Sequence, residues 1–411
     1  MSRADRGRAA AFFSILAAGA AVSGCSGGSS SSTMPPASPS PSANVQPINV
    51  TTGPAVAAGS LATNSAFTSV TICVPGSTTE CQTIDGILVD TGSTGLRVLA
   101  SVLTLSLPQQ KDGSGNPIVE CAQFAAGQTW GPVQMADIGI AGEKASSAAI
   151  QVIGSSSFPT VPTSCSSLGP MQDDLGSLVA NGILGVGNFV QDCGPGCTES
   201  GGGNVGFYYS CPSTGCQVTA QSLSQQVSNP VTMFATDNNG VLIELPAVSS
   251  TEASLSRSLI FGIGTQSNNA LGSATVYTVD PDLGNFTTTF NGQTYTDAAF
   301  LDSGSNAIYF LSSASTSMPA CTDLTFLYCP SSTQNFSATN MGFNGATGTV
   351  NFSVENGDRL TSNQNNSVLP NLGGPNPGNF DWGLPLFYGR NVFTAIEGKS
   401  TPGGAGPYVA Y

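Results

Sequence analysis

Residues 87–96 read Ile-Leu-Val-Asp-Thr-Gly-Ser-Thr-Gly-Leu, and residues 299–308 read Ala-Phe-Leu-Asp-Ser-Gly-Ser-Asn-Ala-Ile. In both stretches an apolar run, typical of a buried strand, ends at one aspartate and turns at a glycine flanked by hydroxyl residues. A buried ionised carboxylate is unstable unless hydrogen-bond donors surround it. Suitable donors follow each aspartate: Thr91, Gly92 and Ser93 after Asp90, and Ser303, Gly304 and Ser305 after Asp302.

The repetition matters because the two aspartates can meet. Two carboxylates a few ångströms apart cannot both ionise, so such a pair holds one shared proton. A pair of this kind is an acid and a base in one site, which is what attack of water on an amide requires. A single Asp-Thr-Gly is typical of a tight turn after a strand, whereas one copy in each half of the chain is much more specific.

These motifs resemble those of the pepsin-like aspartic peptidases. Further segments resemble that family in the family's order, and together they cover most of the chain from about residue 65 onward: Asn181–Gly187, Leu259–Gly264 and Trp382–Arg390. The first of these is similar to the family segment that passes under the first aspartate, and the third to its counterpart in the second lobe. The resemblance implies an all-β fold, a bilobal pepsin-like double β-barrel with a central cleft.

The resemblance also implies an activity, hydrolysis of polypeptides as an aspartic endopeptidase. Asp90 and Asp302 would activate water without a covalent intermediate, Ser93 and Ser305 would orient the outer carboxylate oxygens, and Thr91 and Ser303 would tie the two loops together. It implies no cofactor and no metal. The expected partner is a polypeptide substrate, and we expect a monomer.

Composition agrees with this class. The 411 residues include 50 Gly and 26 Pro but only 8% charged residues, which favours a turn-rich all-β protein long enough for two cores. Histidine is absent, which excludes a Ser-His-Asp triad, a Cys-His pair and histidine-ligated metal. The net charge of −14 argues against binding of nucleic acid or anionic lipid by charge.

The N-terminus is typical of a targeting segment. Basic residues precede an apolar run that ends at Val22-Ser23-Gly24-Cys25, which resembles a bacterial lipobox; the alternative is an ordinary secretory signal with a chance cysteine. We expect residues 1–24 to be a lipoprotein signal peptide, Cys25 to be acylated, and residues 25–47 to be a flexible Ser/Pro tether. Ser26 after the cysteine indicates the outer membrane, facing the periplasm or the cell surface. Membrane contact is then expected through this lipid anchor only.

The rest of the chain divides into two predicted lobes, residues 48–228 and 229–411, with a Cys- and Gly-rich insert at 188–228. The boundary motif Asn229-Pro230-Val231 also resembles a family of uncharacterised bacterial lipoproteins, and residues 231–234 are predicted to form a strand.

Ten cysteines besides Cys25 favour five disulfides in an exported chain, with Cys73–Cys81 and Cys321–Cys329 as plausible local pairs. Four of them are also compatible with a thiolate zinc site in the insert: Cys193, Cys197, Cys211 and Cys216.

Residues 124–131 resemble the flap, the hairpin that closes over substrate in the pepsin-like family. Phe124 stands where that family commonly has tyrosine, Arg97 where it has tryptophan, and Gly127 lies at the hairpin turn. These three residues are the predicted flap and cleft contacts. The altered flap keeps a second function open, a catalytically silent shell that binds a peptide or glycan in its cleft. A purely structural envelope lipoprotein would leave two buried carboxylates unexplained.

Overall fold

A computed structural model describes residues 43–55, 62–199 and 206–411. The predicted signal peptide, Cys25 and the tether as far as residue 42 lie outside the described residues. The strands of the first half are β1 Val45–Val50, β2 Ala66–Cys73, β3 Cys81–Asp90, β4 Thr94–Leu99, β5 Ile118–Phe124, β6 Gly127–Ile140, β7 Glu143–Ile153, β8 Gly182–Val186, β9 Tyr208–Ser210 and β10 Gln217–Val218.

The second half is equally strand-rich. Its strands are β11 Gly240–Leu245, β12 Leu255–Phe261, β13 Val276–Thr278, β14 Phe286–Phe290, β15 Gln293–Leu301, β16 Ile308–Leu311, β17 Gln334–Met341, β18 Thr347–Val354, β19 Gly373–Gly374, β20 Asn376–Trp382, β21 Arg390–Ala395, β22 Ser400–Thr401, β23 Gly404–Ala405 and β24 Tyr408–Ala410.

Helices in the described residues are short. The α-helices are α1 Thr163–Ser166, α2 Leu175–Leu178, α3 Ser313–Thr316, α4 Gly357–Thr361 and α5 Leu384–Phe387, and the 3₁₀ turns are Gly194–Cys197, Leu223–Gln225 and Pro230–Met233. Across residues 43–55, 62–199 and 206–411, no helix has the length and apolar character needed to cross a bilayer.

The first lobe is a closed six-stranded barrel. Its strands pair in the order β2, β3, β8, β4, β7 and β6, and β6 pairs back to β2. Strand β3 begins with exposed and partly exposed side chains near Cys81, but its last four residues are all buried. This strand therefore runs from the surface into the interior and delivers Asp90 there.

The second lobe is a nearly closed seven-stranded barrel in the order β18, β17, β14, β15, β20, β16 and β19. Its core is aromatic: the rings of Phe290, Phe310, Phe352, Phe380 and Trp382 contact one another at centroid distances of 5.2 to 6.3 Å. Such ring packing supplies much of the apolar burial of a barrel this size. It fixes β15, whose end leads directly into Asp302.

A third set of strands extends the sheet of the first barrel. Strands β1, β12, β11, β21, β24 and β13 form consecutive antiparallel pairs, and β1 also pairs with β2 of the first barrel. One continuous sheet thus runs from the first barrel through these strands, whereas the seven strands of the second barrel form a sheet of their own. The prediction of an all-β, bilobal double β-barrel is confirmed.

Two local expectations differ from the structure. Strand β1 begins at Val45, so the end of the predicted tether, up to Pro47, belongs to the sheet; alternate side chains from Gln46 onward are buried there. Residues 230–233 form a 3₁₀ turn instead of the predicted strand. Asn229 causes this turn, because its side chain accepts a hydrogen bond from the amide of Val231 at 3.1 Å.

Five disulfides link the ten cysteines of the described chain: Cys73–Cys81, Cys121–Cys165, Cys193–Cys197, Cys211–Cys216 and Cys321–Cys329. The two predicted local pairs are confirmed. The four cysteines of the insert form two local disulfides in place of the alternative four-thiolate site. A disulfide set of this density fits an exported protein.

Candidate active site

Each aspartate lies at the end of a strand that is crossed by a glycine-containing segment. Asp90 pairs with Gly185 in the parallel β3–β8 register, and a Cβ atom on Gly185 would lie 2.5 Å from the amide of Thr94. In the second lobe the amide of Asp302 donates to the carbonyl of Trp382 at 3.1 Å, and a Cβ on Gly383 would lie 2.2 Å from the carbonyl oxygen of Ala307. Only glycine permits this approach, so residues 182–187 and 382–383 both pass under an aspartate loop.

The donors predicted from the sequence surround both carboxylates. Asp90 accepts from the Gly92 amide at 2.8 Å and from Ser93 Oγ at 2.5 Å. Asp302 accepts from the Gly304 amide at 2.8 Å and from Ser305 Oγ at 3.0 Å. Both aspartates are fully buried. The two loops therefore bind their carboxylates in the same way.

The loops also hold each other across the lobe boundary. The amide of Thr91 donates to Ser303 Oγ at 3.1 Å, and the amide of Ser303 donates to Thr91 Oγ1 at 2.9 Å. Ser303 Oγ in turn donates to the carbonyl of Val89 at 2.8 Å. This reciprocal arrangement brings the two motifs together.

The two carboxyl groups are in direct contact. Asp302 shares a side-chain hydrogen bond with Asp90. A Cβ added to Gly92 would lie 2.6 Å from Cγ of Asp302, and one added to Gly304 would lie 2.8 Å from Cγ of Asp90. Burial, followed by the charge of Asp90, raises the pKa of Asp302 well above its usual range. The site therefore retains a proton between two carboxylates, the state expected of an acid–base pair.

A third carboxyl group, not predicted from the sequence, lies beside the pair. Asp381 on β20 is buried, and its Oδ2 lies 2.6 Å from Oγ of Ser305, the hydroxyl that also contacts Asp302. In the sequence, Asp381 differs from its surroundings only as an acidic residue in an apolar segment, at the position where the first lobe has Ile183. No spacing rule connects it to Asp302.

Asn64 is a second residue that sequence reasoning missed. Its Nδ2 donates to the carbonyls of Asn306 and Leu369, each at 2.8 Å, and its Oδ1 accepts from the Leu369 amide at 2.7 Å. The hydroxyl of Tyr388 also donates to that oxygen at 2.8 Å. Asn64 has a φ of +46°, which asparagine tolerates better than most residues. This first-lobe residue fixes the loop after Ser305 in the second lobe.

The predicted flap is the β5–β6 hairpin, with Phe124 at the end of β5 and Gly127 at the start of β6. Gly127 is fixed by the loop before α2, since a Cβ there would lie 2.2 Å from the carbonyl oxygen of Pro170. Phe124 is buried, and the Arg97 guanidinium lies 5.6 Å from its ring centroid. The structure thus brings together Arg97 and Phe124, the two positions where the sequence departs from the pepsin-like flap pattern.

Arg97 is a buried structural cation. Its Nη2 contacts Glu120 Oε1 at 2.5 Å and Asp192 Oδ2 at 2.9 Å, and its Nη1 donates to the carbonyl of Thr94. Burial, followed by the charge of Glu120, raises the pKa of Asp192 well above its usual range, although Arg97 opposes the shift. The predicted cleft contact, Arg97, is therefore an interior charge that connects β4, β5 and the insert.

The insert extends the β5–β6 hairpin. Strand β9 pairs with β5, and β10 pairs with β9, so the hairpin becomes a four-stranded sheet. The hydroxyl of Tyr208 on β9 donates to Asp192 at 2.8 Å, and the disulfide Cys121–Cys165 attaches β5 to α1. The hairpin is thus anchored on several sides.

These features define a class: an all-β protein of two barrels with a hydrogen-bonded aspartate pair at the junction of its lobes. Residues 40–411 match the family described as "Protein of unknown function (DUF3443)", and the chain belongs to that family. No curated protein matches the chain.

Proposed function

We propose that the protein is an aspartic endopeptidase of the pepsin-like type, which hydrolyses polypeptides with a water molecule activated between Asp90 and Asp302. The observation that supports this function best is the buried, hydrogen-bonded carboxyl pair with a matching set of donors on each side. Buried acids with strongly perturbed pKa values are concentrated at functional sites.

The chemistry follows from that shared proton. One carboxylate removes a proton from water as the water oxygen bonds to the scissile carbonyl carbon, and the proton already on the pair moves to the carbonyl oxygen. The tetrahedral diol then collapses. One of its hydroxyl protons returns to the pair, a proton from the pair passes to the amide nitrogen, and the C–N bond breaks. The pair ends with the single proton with which it began.

Gly92 and Gly304 allow the carboxyl groups to approach each other, and Ser93 and Ser305 contact Oδ2 of Asp90 and of Asp302. Fixed donors of this kind need no reorganisation during the reaction. Thr91 and Ser303 keep the two loops in register, so that neither carboxyl group can withdraw from the other.

We further propose that the enzyme is a lipoprotein of the outer membrane, attached through Cys25 and facing the periplasm or the cell surface. The five disulfides support export to an oxidising compartment. The lipobox-like sequence before Cys25 supports the anchor.

The anchored flap favours a second candidate, a shell that binds a peptide or glycan without cleaving it. Phe124 has no hydroxyl group to offer a substrate, and Arg97, Glu120 and Asp192 tie the hairpin to the insert. A hairpin held by these contacts suits retention of a ligand as well as turnover.

The two functions are separated by incubating the full-length protein with denatured protein substrate from about pH 3 to pH 7, with and without a pepstatin-like transition-state mimic. Peptidase activity predicts cleavage that the mimic inhibits and that both Asp90→Asn and Asp302→Asn abolish. Asp85→Asn, an exposed change on the same strand as Asp90, is the matched control and should retain cleavage. Tight binding of the mimic with no cleavage at any pH would favour the shell.

A further inference from the structure

The two lobes differ at one buried position next to the aspartates. Ile183 lies on β8, two residues before the Gly185 that passes under the Asp90 loop, and pairs with Leu88. Asp381 lies on β20, two residues before the corresponding Gly383, and pairs with Phe300. The second lobe therefore carries a carboxyl group where the first lobe carries an alkyl side chain.

Ser305 connects this carboxyl group to the pair. Its Oγ lies 3.0 Å from Asp302 Oδ2 and 2.6 Å from Asp381 Oδ2. A serine hydroxyl has one hydrogen, so it donates to one of these oxygens at a time. For both contacts to be hydrogen bonds, one carboxyl group must itself supply a hydrogen to Ser305.

The surroundings identify Asp381 as that donor. Asp302 already accepts from the Gly304 amide and shares a hydrogen bond with Asp90, whereas Asp381 Oδ1 is buried and has no hydrogen-bond partner among the described residues. None of the ion pairs in the described chain involves Asp381. An ionised carboxylate in that position would be buried, half unsatisfied and beside other acids.

The groups that face Asp381 are few. The acids are Asp302, reached through Ser305, and Asp90. Its partner on β16 is Tyr309, whose hydroxyl donates to Asn306 Oδ1 at 2.7 Å, and its partner on β15 is Phe300. Among the described residues this environment is acidic or neutral, and no ion pair with a cation holds Asp381 ionised.

We propose that Asp381 is a positioning residue of the site: it remains protonated, donates its hydrogen to Ser305 Oγ, and thereby leaves the Ser305 hydrogen for Asp302. Burial, with the charge of Asp90, raises the pKa of Asp381 well above its usual range, although the Ser305 hydrogen bond lowers it. When Asp381 loses its proton, Ser305 donates to only one of two competing carboxylates, and Asp302 loses an outer donor. The consequence for catalysis rests on the proposed function; the protonation of Asp381 does not.

The protonation is tested without any activity measurement, from the pH dependence of unfolding of the full-length protein and of Asp381→Asn. A raised folded-state pKa gives stability that is complete below the unfolded pKa, about 3.9, and is lost as pH rises through the folded value. The wild type should therefore lose stability relative to Asp381→Asn as pH rises from about 4, by up to about tenfold in the unfolding equilibrium constant per pH unit.

The control variant, Asp112→Asn, should show the opposite pH dependence of stability. Hydrogen bonds from Ser210 and Asn116 lower the pKa of Asp112 to about 2, so its contribution is present above the unfolded pKa and is lost in acid. The wild type should lose stability relative to Asp112→Asn only below about pH 4. Parallel curves for the wild type and Asp381→Asn would overturn the inference. If Asp381→Asn fails to fold, Asp381→Ile, which copies the first lobe, supplies the same non-titrating comparison.

Activity gives the second readout. The side chain introduced in Asp381→Asn cannot titrate, so the proton that remains to be lost is the one shared by Asp90 and Asp302. The alkaline limb of the pH profile of kcat/KM should therefore move to higher pH. In Asp381→Ile the donor to Ser305 is removed, and kcat should fall while KM changes little. An unchanged alkaline limb in Asp381→Asn would overturn the positioning role. If the wild type cleaves nothing but the unfolding curves diverge, the proposed function fails and the protonated Asp381 stands.

Discussion

Thr91 and Ser303 exchange hydrogen bonds between the lobes, each backbone amide donating to the other residue's hydroxyl, at 3.1 and 2.9 Å. The contact is nearly two-fold symmetric although the residues are 212 positions apart in the chain. It is the most direct link between the two aspartate loops, because each partner immediately follows a catalytic candidate.

Removing either hydroxyl should therefore destabilise the junction. Thr91→Val and Ser303→Ala each leave one buried amide without its acceptor, which costs about 1–3 kcal/mol in the free energy of unfolding. The double variant should cost less than the sum of the two, because the two hydrogen bonds join the same pair of loops and are therefore coupled. Urea unfolding measures the three values. Thr71→Val is the control: it removes a hydroxyl from the exposed pair with Thr83 and should change stability by only about 0.5 kcal/mol. Strict additivity of Thr91→Val and Ser303→Ala would show that their two hydrogen bonds act independently.

Gly304 tests whether the close approach of the carboxyl groups is needed. In Gly304→Ala the added methyl group would lie 2.8 Å from Cγ of Asp90, so the two carboxyl groups must separate. We expect cleavage to fall at least about a hundredfold, as for a displacement of about 1 Å in a reacting group, and stability to fall by about 1–3 kcal/mol. Gly113→Ala is the matched control, because a Cβ there meets no atom within 4 Å. Full activity in Gly304→Ala would show that the carboxyl groups need not touch.

The parts of this site that could be predicted from sequence are those made by local contacts. The donors to Asp90 come from residues two and three positions later, so the motif itself contains the geometry. Its repetition in the second half then indicated a second, equivalent loop. Cys73–Cys81 and Cys321–Cys329 were accessible for the same reason, since each pair closes a short hairpin or loop.

The parts that could not be predicted depend on contacts between distant segments. Asp381 and Ser305 are 76 residues apart in the chain, and Arg97 and Asp192 are 95 apart. No local sequence pattern predicts either contact. The predicted tether includes the start of β1, residues 45–47, because the segment up to Pro47 shows no apolar periodicity. Proline also usually argues against a paired strand. Here Pro47 lies opposite Ser258 in a register that the flanking residues hold.

The buried charges around Arg97 predict a strong and specific loss of stability. Arg97→Met removes the cation from Glu120 and Asp192 and leaves two buried acids without it, which should cost about 3–5 kcal/mol. Adding Glu120→Gln and Asp192→Asn should restore most of that loss, because the uncompensated charges are then gone. Denaturant unfolding measures both variants. A small effect of Arg97→Met alone, comparable to a surface substitution, would contradict a structural role for this cation.

The raised pKa of Asp302 predicts how stability depends on pH. Burial and then the charge of Asp90 raise this pKa, so the stabilising contribution of the protonated carboxyl group is complete below the unfolded pKa and is lost as pH rises through the folded value. Asp302→Asn cannot titrate and should become progressively more stable than the wild type above about pH 4, with a slope of up to about 1.4 kcal/mol per pH unit.

Urea unfolding of both proteins from about pH 3 to pH 8 measures that slope. Asp174→Asn is the control. The backbone amide and hydroxyl of Ser177 lower the pKa of Asp174, so the contribution of Asp174 to stability is lost as pH falls, opposite to that of Asp302. Asp302→Asn should also abolish cleavage while stabilising the fold at neutral pH, a combination expected where a functional site holds acids too close together. If Asp302→Asn destabilised the protein equally at every pH, Asp302 would be an ordinary hydrogen-bonded carboxylate, and the shared proton on which the catalytic proposal depends would be absent.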